Sequence, residues 1–188
     1  MKDKLLEIRF HGRGGQGVKT AALLLAEAAF EQGKEVQGFA DYGPERAGAP
    51  VAGFTRISDE KITIHSFINN PDIVVIIDGT LVDTIPVLDG LTNDGPVIVN
   101  TTLTPQEIAK KLGKKTNIHT VDATGISLAI FGRDFPNAPI LGAISKVTGI
   151  VPLSAIEDVF KKKFAGKDNL VKGNVEAVKK AYEEVKSI

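Results

Sequence analysis

The chain has 188 residues, 43% hydrophobic and 24% charged, the make-up of an ordinary globular domain with room for a sizeable core. Lys plus Arg and Asp plus Glu each number 23, and this zero formal charge argues against a general nucleic-acid or membrane-surface binder, which would carry a basic excess. Cysteine is absent, which excludes disulfides, thiolate metal sites, cysteine nucleophiles and any iron–sulfur cluster held by this chain alone.

The opening MKDKLLEIRF lacks the apolar segment of a signal peptide, and no apolar run approaches the roughly 18 residues of a membrane span. The sequence therefore points to the cytoplasm. LLEIRFHG alternates and stops at glycine, as a strand does. Val18 to Phe30 is apolar almost all round and is followed by Gly33, which reads as a buried helix. EVQGFADYG is a weaker strand. DYGPERAGAP, residues 41–50, has two prolines and two glycines and reads as irregular. VAGFTRIS and KITIHS read as an antiparallel pair joined by DEK, a link too short for a crossover. DIVVIIDG and PVIVN are continuous β-branched runs, as expected of strands covered on both faces.

TPQEIAKKLG carries a capping box: Thr104 caps, Pro105 takes the first helical position, Glu107 reaches back and Gly113 closes the helix. NIHTVDA is a further strand. Asn137 is placed to cap a helix through APILGAISKVTG, and Ser154 with Glu157 to form a second capping box ahead of an apolar stripe, Leu153, Ile156, Phe160 and Phe164. The last helix shows Val175, Val178, Tyr182 and Val185 on one face, with Glu176 and Lys180 spaced as an i,i+4 pair. Alternating strands and helices predict a single α/β domain over 1–188: three α/β/α layers, Rossmann-like, with a mixed, mainly parallel sheet.

HGRGGQGVKT, residues 11–20, carries the chemistry. Gly12, Gly14 and Gly17 match G-x-G-x-x-G between a strand and a helix, where bare backbone and a helix N-terminus favour an anion. Asp41 could imitate the acidic residue that holds a ribose, which keeps an independent NAD(P)-binding oxidoreductase open as an alternative. A P-loop is rejected, because Val18 precedes Lys19-Thr20 and the extra residue turns the lysine by about 100°. The bland reading is a tight turn that only packs, leaving a scaffold that binds no small molecule. Gly15, between Arg13 and Gln16, argues for more, since four bare backbones and a guanidinium suit a phosphate or carboxylate. Four of the five arginines, Arg9, Arg13, Arg46 and Arg56, fall in the first 56 residues, either for bidentate recognition or as scattered surface charge. His11, His65 and His119 fall on separate predicted strands without ligand-like spacing, and no metal site is expected. Asp78 ends the strongest strand, where it either meets a ligand or caps the next helix.

Two stretches together, the loop Gly12, Gly14, Gly15, Gln16, Gly17 and the segment Tyr42, Gly43, Pro44, Glu45, Arg46, Gly48, Ala49, Pro50, resemble the gamma subunit of the 2-oxoacid:ferredoxin oxidoreductases, most closely the pyruvate type. DIVVIIDGTLV and PILGAISKVTGIV look like later blocks of the same family. The resemblance implies a subunit of a cytoplasmic hetero-oligomer that oxidises a 2-oxoacid, here pyruvate, with coenzyme A to acyl-CoA (acetyl-CoA), carbon dioxide and reduced ferredoxin. It implies partners that bind thiamine diphosphate with Mg and a ferredoxin-like chain with iron–sulfur clusters. This chain has no cysteine, and its NDG at 93–95 reads as a turn rather than a thiamine diphosphate fingerprint. No residue is expected to be catalytic. Gly12, Arg13, Gly14, Gly15, Gln16, Gly17, Glu45 and Arg46 are the residues expected on the side where coenzyme A enters.

Overall fold

The structure, a computed structural model, describes residues 5–41, 48–92 and 94–188. The elements in chain order are β1 (Leu6–Arg13), α1 (Val18–Phe30), β2 (Glu35–Asp41), β3 (Pro50–Ser58), β4 (Ile73–Ile76), a 3-10 turn (Gly79–Asp83), β5 (Val97–Asn100), α2 (Pro105–Leu112), β6 (Ile118–Val121), α3 (Ala123–Phe131), α4 (Asn137–Thr148), α5 (Leu153–Lys163), α6 (Asp168–Glu184) and β7 (Lys186–Ser187). They build one seven-stranded sheet in the order β2-β3-β1-β4-β5-β6-β7. β1, β4, β5 and β6 are parallel neighbours, while β3 is antiparallel to both β1 and β2, and β7 to β6. Hence β2 runs with β1, and the sheet is mixed with only β3 and β7 reversed.

One face of the sheet carries α1, α3, α4, α5 and α6 over Ile8, Phe10, Val75 and Ile98. The other carries α2 and the 3-10 turn over Val74, Ile76, Val97 and Val99. Burial on both sides is why these short strands are continuous Val/Ile runs. α2 has the predicted capping box, with Thr104 Oγ accepting from Glu107 N, and Gly113 closes it in the left-handed region.

Several expectations are corrected. KITIHS is not a strand, so His65 is on none. A strand has two edges, and both edges of β3 are taken, by β1 and β2. The mixed sheet therefore arises from β3 between β2 and β1, and from β7 at the far edge. Asn137 is the first residue of α4, not its cap, and α5 starts at Leu153, one residue before the expected Ser154 cap, so neither helix has a side-chain cap. Lys180 lies 4.0 Å from Glu184 rather than pairing with Glu176. Of the irregular stretch 41–50, Asp41 ends β2 and Pro50 opens β3; residues 42–47 lie outside the described residues, as does Asn93 of NDG, while Asp94 has the turn-like φ of 53°.

The face of β1 opposite α1 is polar yet buried. Glu7, Arg9 and His11 alternate with Ile8 and Phe10. Arg56, 1% exposed, donates Nε to Glu7 at 2.7 Å, Nη1 to Gln37 at 3.1 Å and Nη2 to the Ser66 carbonyl at 2.8 Å. Arg9 donates to His11 Nε2 at 3.0 Å and to the carbonyls of Val87 and Asp89. The two guanidiniums thus bind backbone carbonyls of irregular chain laid over the sheet, and Phe67 packs on Phe39 and Phe54 beside them. Clustered arginine here reflects the need for several fixed donors per side chain.

Candidate functional site

The glycine loop lies at the carboxyl end of β1, where open α/β sheets place ligands. It is joined to the second distinctive stretch. β1 and β3 pair in a register that sets Arg13 opposite Pro50. Beyond that pair, Gly14 N donates to Ala49 O at 2.9 Å and Gly48 N to Gly14 O at 3.1 Å. Two segments some 30 residues apart in the chain therefore form one surface. Glu45 and Arg46 lie outside the described residues.

Within the loop the glycines divide by role. A Cβ on Gly12 would stand 2.5 Å from Val18 Cγ2, so this glycine permits α1 to close on β1. Gly17 precedes α1 with φ 76°, and a Cβ there would meet the Asn137 carboxamide at 2.4 Å. With its nitrogen turned to the loop, Asn137 donates to the Gln16 and Gly17 carbonyls at 3.2 Å each. Gly15, at φ 97°, is exposed and has open space where a side chain would be. Packing therefore accounts for Gly12 and Gly17 but not for Gly15, the position that leaves bare backbone beside the first turn of α1, whose N–H groups have no intrahelical acceptors.

Arg13 and Gln16 both bond to Asp78, just past the end of β4. Arg13 Nε donates to Asp78 Oδ2 at 3.0 Å, Nη1 to Gly48 O at 3.2 Å and Nη2 to Thr80 Oγ1 at 3.1 Å. Gln16 Oε1 accepts from Arg13 N at 2.7 Å, and its Nε2 donates to Asp78 at 2.8 Å. Asp78 also caps the 3-10 turn by accepting from Thr80 N at 2.9 Å, so the capping alternative is realised. Burial alone would raise the Asp78 carboxyl; bonds from the Thr80 hydroxyl, Gln16 and Thr80 N–H, with the Arg13 charge, outweigh it and hold the carboxyl below its ordinary range. The guanidinium uses three of its five N–H groups on these bonds, and its side chain remains 31% exposed.

Beside the loop is a cleft of about 440 Å³ across the ends of β1, β4, β5 and β6, lined by Gln16, Asp78, Thr80, Asn100, Asp122 and Thr124 among others. Asn100 closes its floor by donating to Ile77 O at 2.8 Å and Thr124 Oγ1 at 3.0 Å. Among the described residues the lining has four carboxylates, Asp78, Asp83, Asp122 and Asp134, against one lysine, Lys111, which pairs with Asp83 at 2.7 Å. These carboxylates oppose a phosphate in the middle of the cleft.

The dinucleotide geometry is broken. In that fingerprint the acidic residue ends the strand adjacent to β1. Here β3 intervenes, and Asp41, exposed at the end of β2, is two strand spacings, about 10 Å, from β1. Lys19 is exposed on α1. His11 and His119 lie in β1 and β6 and are internally bonded, His11 to Arg9 and His119 to Ser187 at 2.7 Å and Asn117 at 3.1 Å. Burial first, then the Arg9 charge, push His11 down to about 4, with a bond to the Val87 backbone acting the other way. Among the described residues no group of three or more His, Cys, Asp or Glu could hold a metal, and no helix is long and apolar enough to cross a membrane.

Residues 7–184 match the family model for pyruvate ferredoxin/flavodoxin oxidoreductase. The chain belongs to that family, as a gamma subunit. It is 49% identical over 185 residues to the pyruvate synthase subunit PorC of Thermotoga maritima, covering 97% of this chain and 96% of the relative. It is 50% identical to the pyruvate/ketoisovalerate oxidoreductases common subunit gamma of Thermococcus litoralis, covering 96% and 97%. The crystal structure of the T. maritima pyruvate oxidoreductase subunit superposes with a TM-score of 0.87 at 47% identity, over 97% of this chain and 98% of that one. The gamma subunit therefore shares its α/β architecture with an experimentally determined member.

What sequence reasoning missed at the site is the Asp78–Thr80 acceptor pair for Arg13 and Gln16. Asp78 was legible as a cap, but nothing local in the sequence announces that a residue 65 positions away receives the guanidinium.

Proposed function

We propose that this gamma subunit, as a single domain over 1–188, works within a multisubunit 2-oxoacid:ferredoxin oxidoreductase that converts pyruvate, coenzyme A and oxidised ferredoxin to acetyl-CoA, carbon dioxide and reduced ferredoxin. Thiamine diphosphate with Mg and the iron–sulfur clusters belong, in this reading, to partner subunits, which supply the carbanion and electron chemistry. The relatives' names carry the reaction, and the absence of cysteine agrees with redox centres held elsewhere.

This chain's own share is the coenzyme A side. The carrying observation is the union of the two motifs: Gly15 offers open backbone at the first turn of α1, while Arg13, tied to Gly48, faces the same rim. Gly15 and the α1 N-terminus supply N–H donors to a phosphate, Arg13 supplies charge through its remaining donors, and Gln16 fixes the loop. Gly12 and Gly17 set its shape, and Glu45 and Arg46 belong to the segment that leads in the chain to Gly48, whose backbone bonds to Gly14.

The test is reconstitution. With the other subunits present, adding this chain should restore coenzyme A-dependent ferredoxin reduction. Full activity without it would refute the proposal.

A further inference from the structure

A second pocket, of about 530 Å³, opens between α1, α5, the start of α6 and the turn that joins α3 to α4. Its walls are apolar: Leu24, Phe131, Phe135, Phe160, Phe164 and Leu170. Phe160 and Phe164 lie nearly parallel, centroids 6.3 Å apart. Arg133 and Lys163 are its only charged lining residues among the described ones. Neither makes an ion pair among the described residues, whereas their neighbours Lys161 and Lys162 pair with Asp158 and Glu31.

The exposed aromatic at the mouth is held in place. Phe135 is 52% exposed and Leu170 41%. Ser127 Oγ donates to Arg133 O and accepts from Phe135 N, both at 2.7 Å, so one buried hydroxyl fixes the turn that presents both residues. Leu128, 49% exposed, lies three residues before Phe131 on α3 and extends the apolar surface beyond the pocket. Water is a poor solvent for such a surface, and an apolar cavity with a preset aromatic rim is how a partner's anchoring side chain is received.

We infer that this pocket is the docking site for a segment of another subunit of the same oxidoreductase, one that inserts an apolar side chain and sets carboxylates against Arg133 and Lys163. The inference rests on the subunit assignment made above. The charge pattern selects the occupant: two cations without an acidic residue oppose a basic or self-similar partner and favour an acidic one. Surface outside the pocket that is also apolar fits a protein segment better than a small molecule, which would leave Leu128 and half of Phe135 in water. A docked segment would also lie against Asn137, and so brace the glycine loop through its bonds to the Gln16 and Gly17 carbonyls.

The experiment is co-expression with the partner subunits followed by gel filtration. Three forms are compared: wild type, Phe135→Asp, and the double variant Arg133→Glu with Lys163→Glu. All three sites are at the surface, so circular dichroism of each isolated chain should match the wild type. A Leu128→Asp variant gives a second apolar readout should Phe135→Asp misfold. Wild-type chain is expected in the complex, with each variant reduced at least tenfold and wild-type assembly weakened by high salt. Variants that assemble as wild type overturn the inference and leave the subunit assignment standing. So does normal assembly with lost coenzyme A binding, which would make the pocket a ligand site. A wild-type chain that joins no complex overturns both.

Discussion

Arg13 Nε lies 3.0 Å from Asp78 Oδ2, and this contact ties the loop after β1 to the end of β4. It is partly shielded, with the two side chains 31% and 12% exposed. A charge-assisted bond in that setting contributes about 1 kcal/mol once solvent screening is counted. A double-mutant cycle of Arg13→Ala and Asp78→Ala in urea unfolding should return a coupling of about that size. Strict additivity would mean that the pair is incidental.

The loop's glycines should separate in a thermal melt. Gly17→Ala meets both a left-handed backbone and the Asn137 carboxamide, and should cost about 2–3 kcal/mol. Gly15→Ala meets only the backbone cost, about 1 kcal/mol, because its side chain would enter open space. At roughly 2–4 °C per kcal/mol for a chain of this size, Gly17→Ala should melt several degrees below Gly15→Ala. The reverse order would refute the division between packing and open glycines.

Arg56 tests the buried polar face. Arg56→Ala leaves Glu7 and the Ser66 carbonyl without their partner, at a cost of about 3–5 kcal/mol. Arg56→Lys should recover only part, since one ammonium cannot reach Glu7, Gln37 and Ser66 together. Equilibrium urea melts measure both; a loss under about 1 kcal/mol for Arg56→Ala would show the guanidinium to be dispensable.

His11 gives a pH dependence of known sign. Its pKa falls from 6.5 to about 4 on folding, so in that window the unfolded chain binds a proton that the folded chain refuses. Stability is therefore lost as pH drops below 6.5, by about 2 kcal/mol between pH 7 and pH 5, and the loss levels off below 4. His119, whose pKa is lowered by burial, acts in the same direction. His11→Gln, which keeps an acceptor for Arg9, should flatten most of this slope in urea melts at the two pH values. An unchanged slope would place the effect elsewhere.

The parallel strands, α1 and the α2 capping box were legible because each is written locally, in a β-branched run, an alanine-rich stretch or a cap three residues from its partner. KITIHS carries the same local pattern as a strand and fails for a reason that is not local: both edges of β3 are already paired. Asn137 shows the same limit. Its residue type suits a cap, yet its side chain serves the glycine loop some 120 residues earlier. At the site, the two motifs were visible as a pair, and only the β1–β3 register shows why they belong together. Arg9 and Arg56 looked like Arg13 in the sequence, but they lie within β1 and β3 under the covering chain, whereas Arg13 ends β1 at the loop.

The most direct test of the account is coenzyme A kinetics in the assembled enzyme with Arg13→Ala and, separately, Arg46→Ala. Loss of a guanidinium–phosphate contact, of order 1.5–3 kcal/mol, should raise the KM for coenzyme A by roughly one to two powers of ten. The KM for the 2-oxoacid should stay nearly unchanged if, as proposed, decarboxylation takes place on other chains. If both variants keep wild-type coenzyme A kinetics, the glycine loop is a packing turn and the subunit does not form the coenzyme A side of the active site.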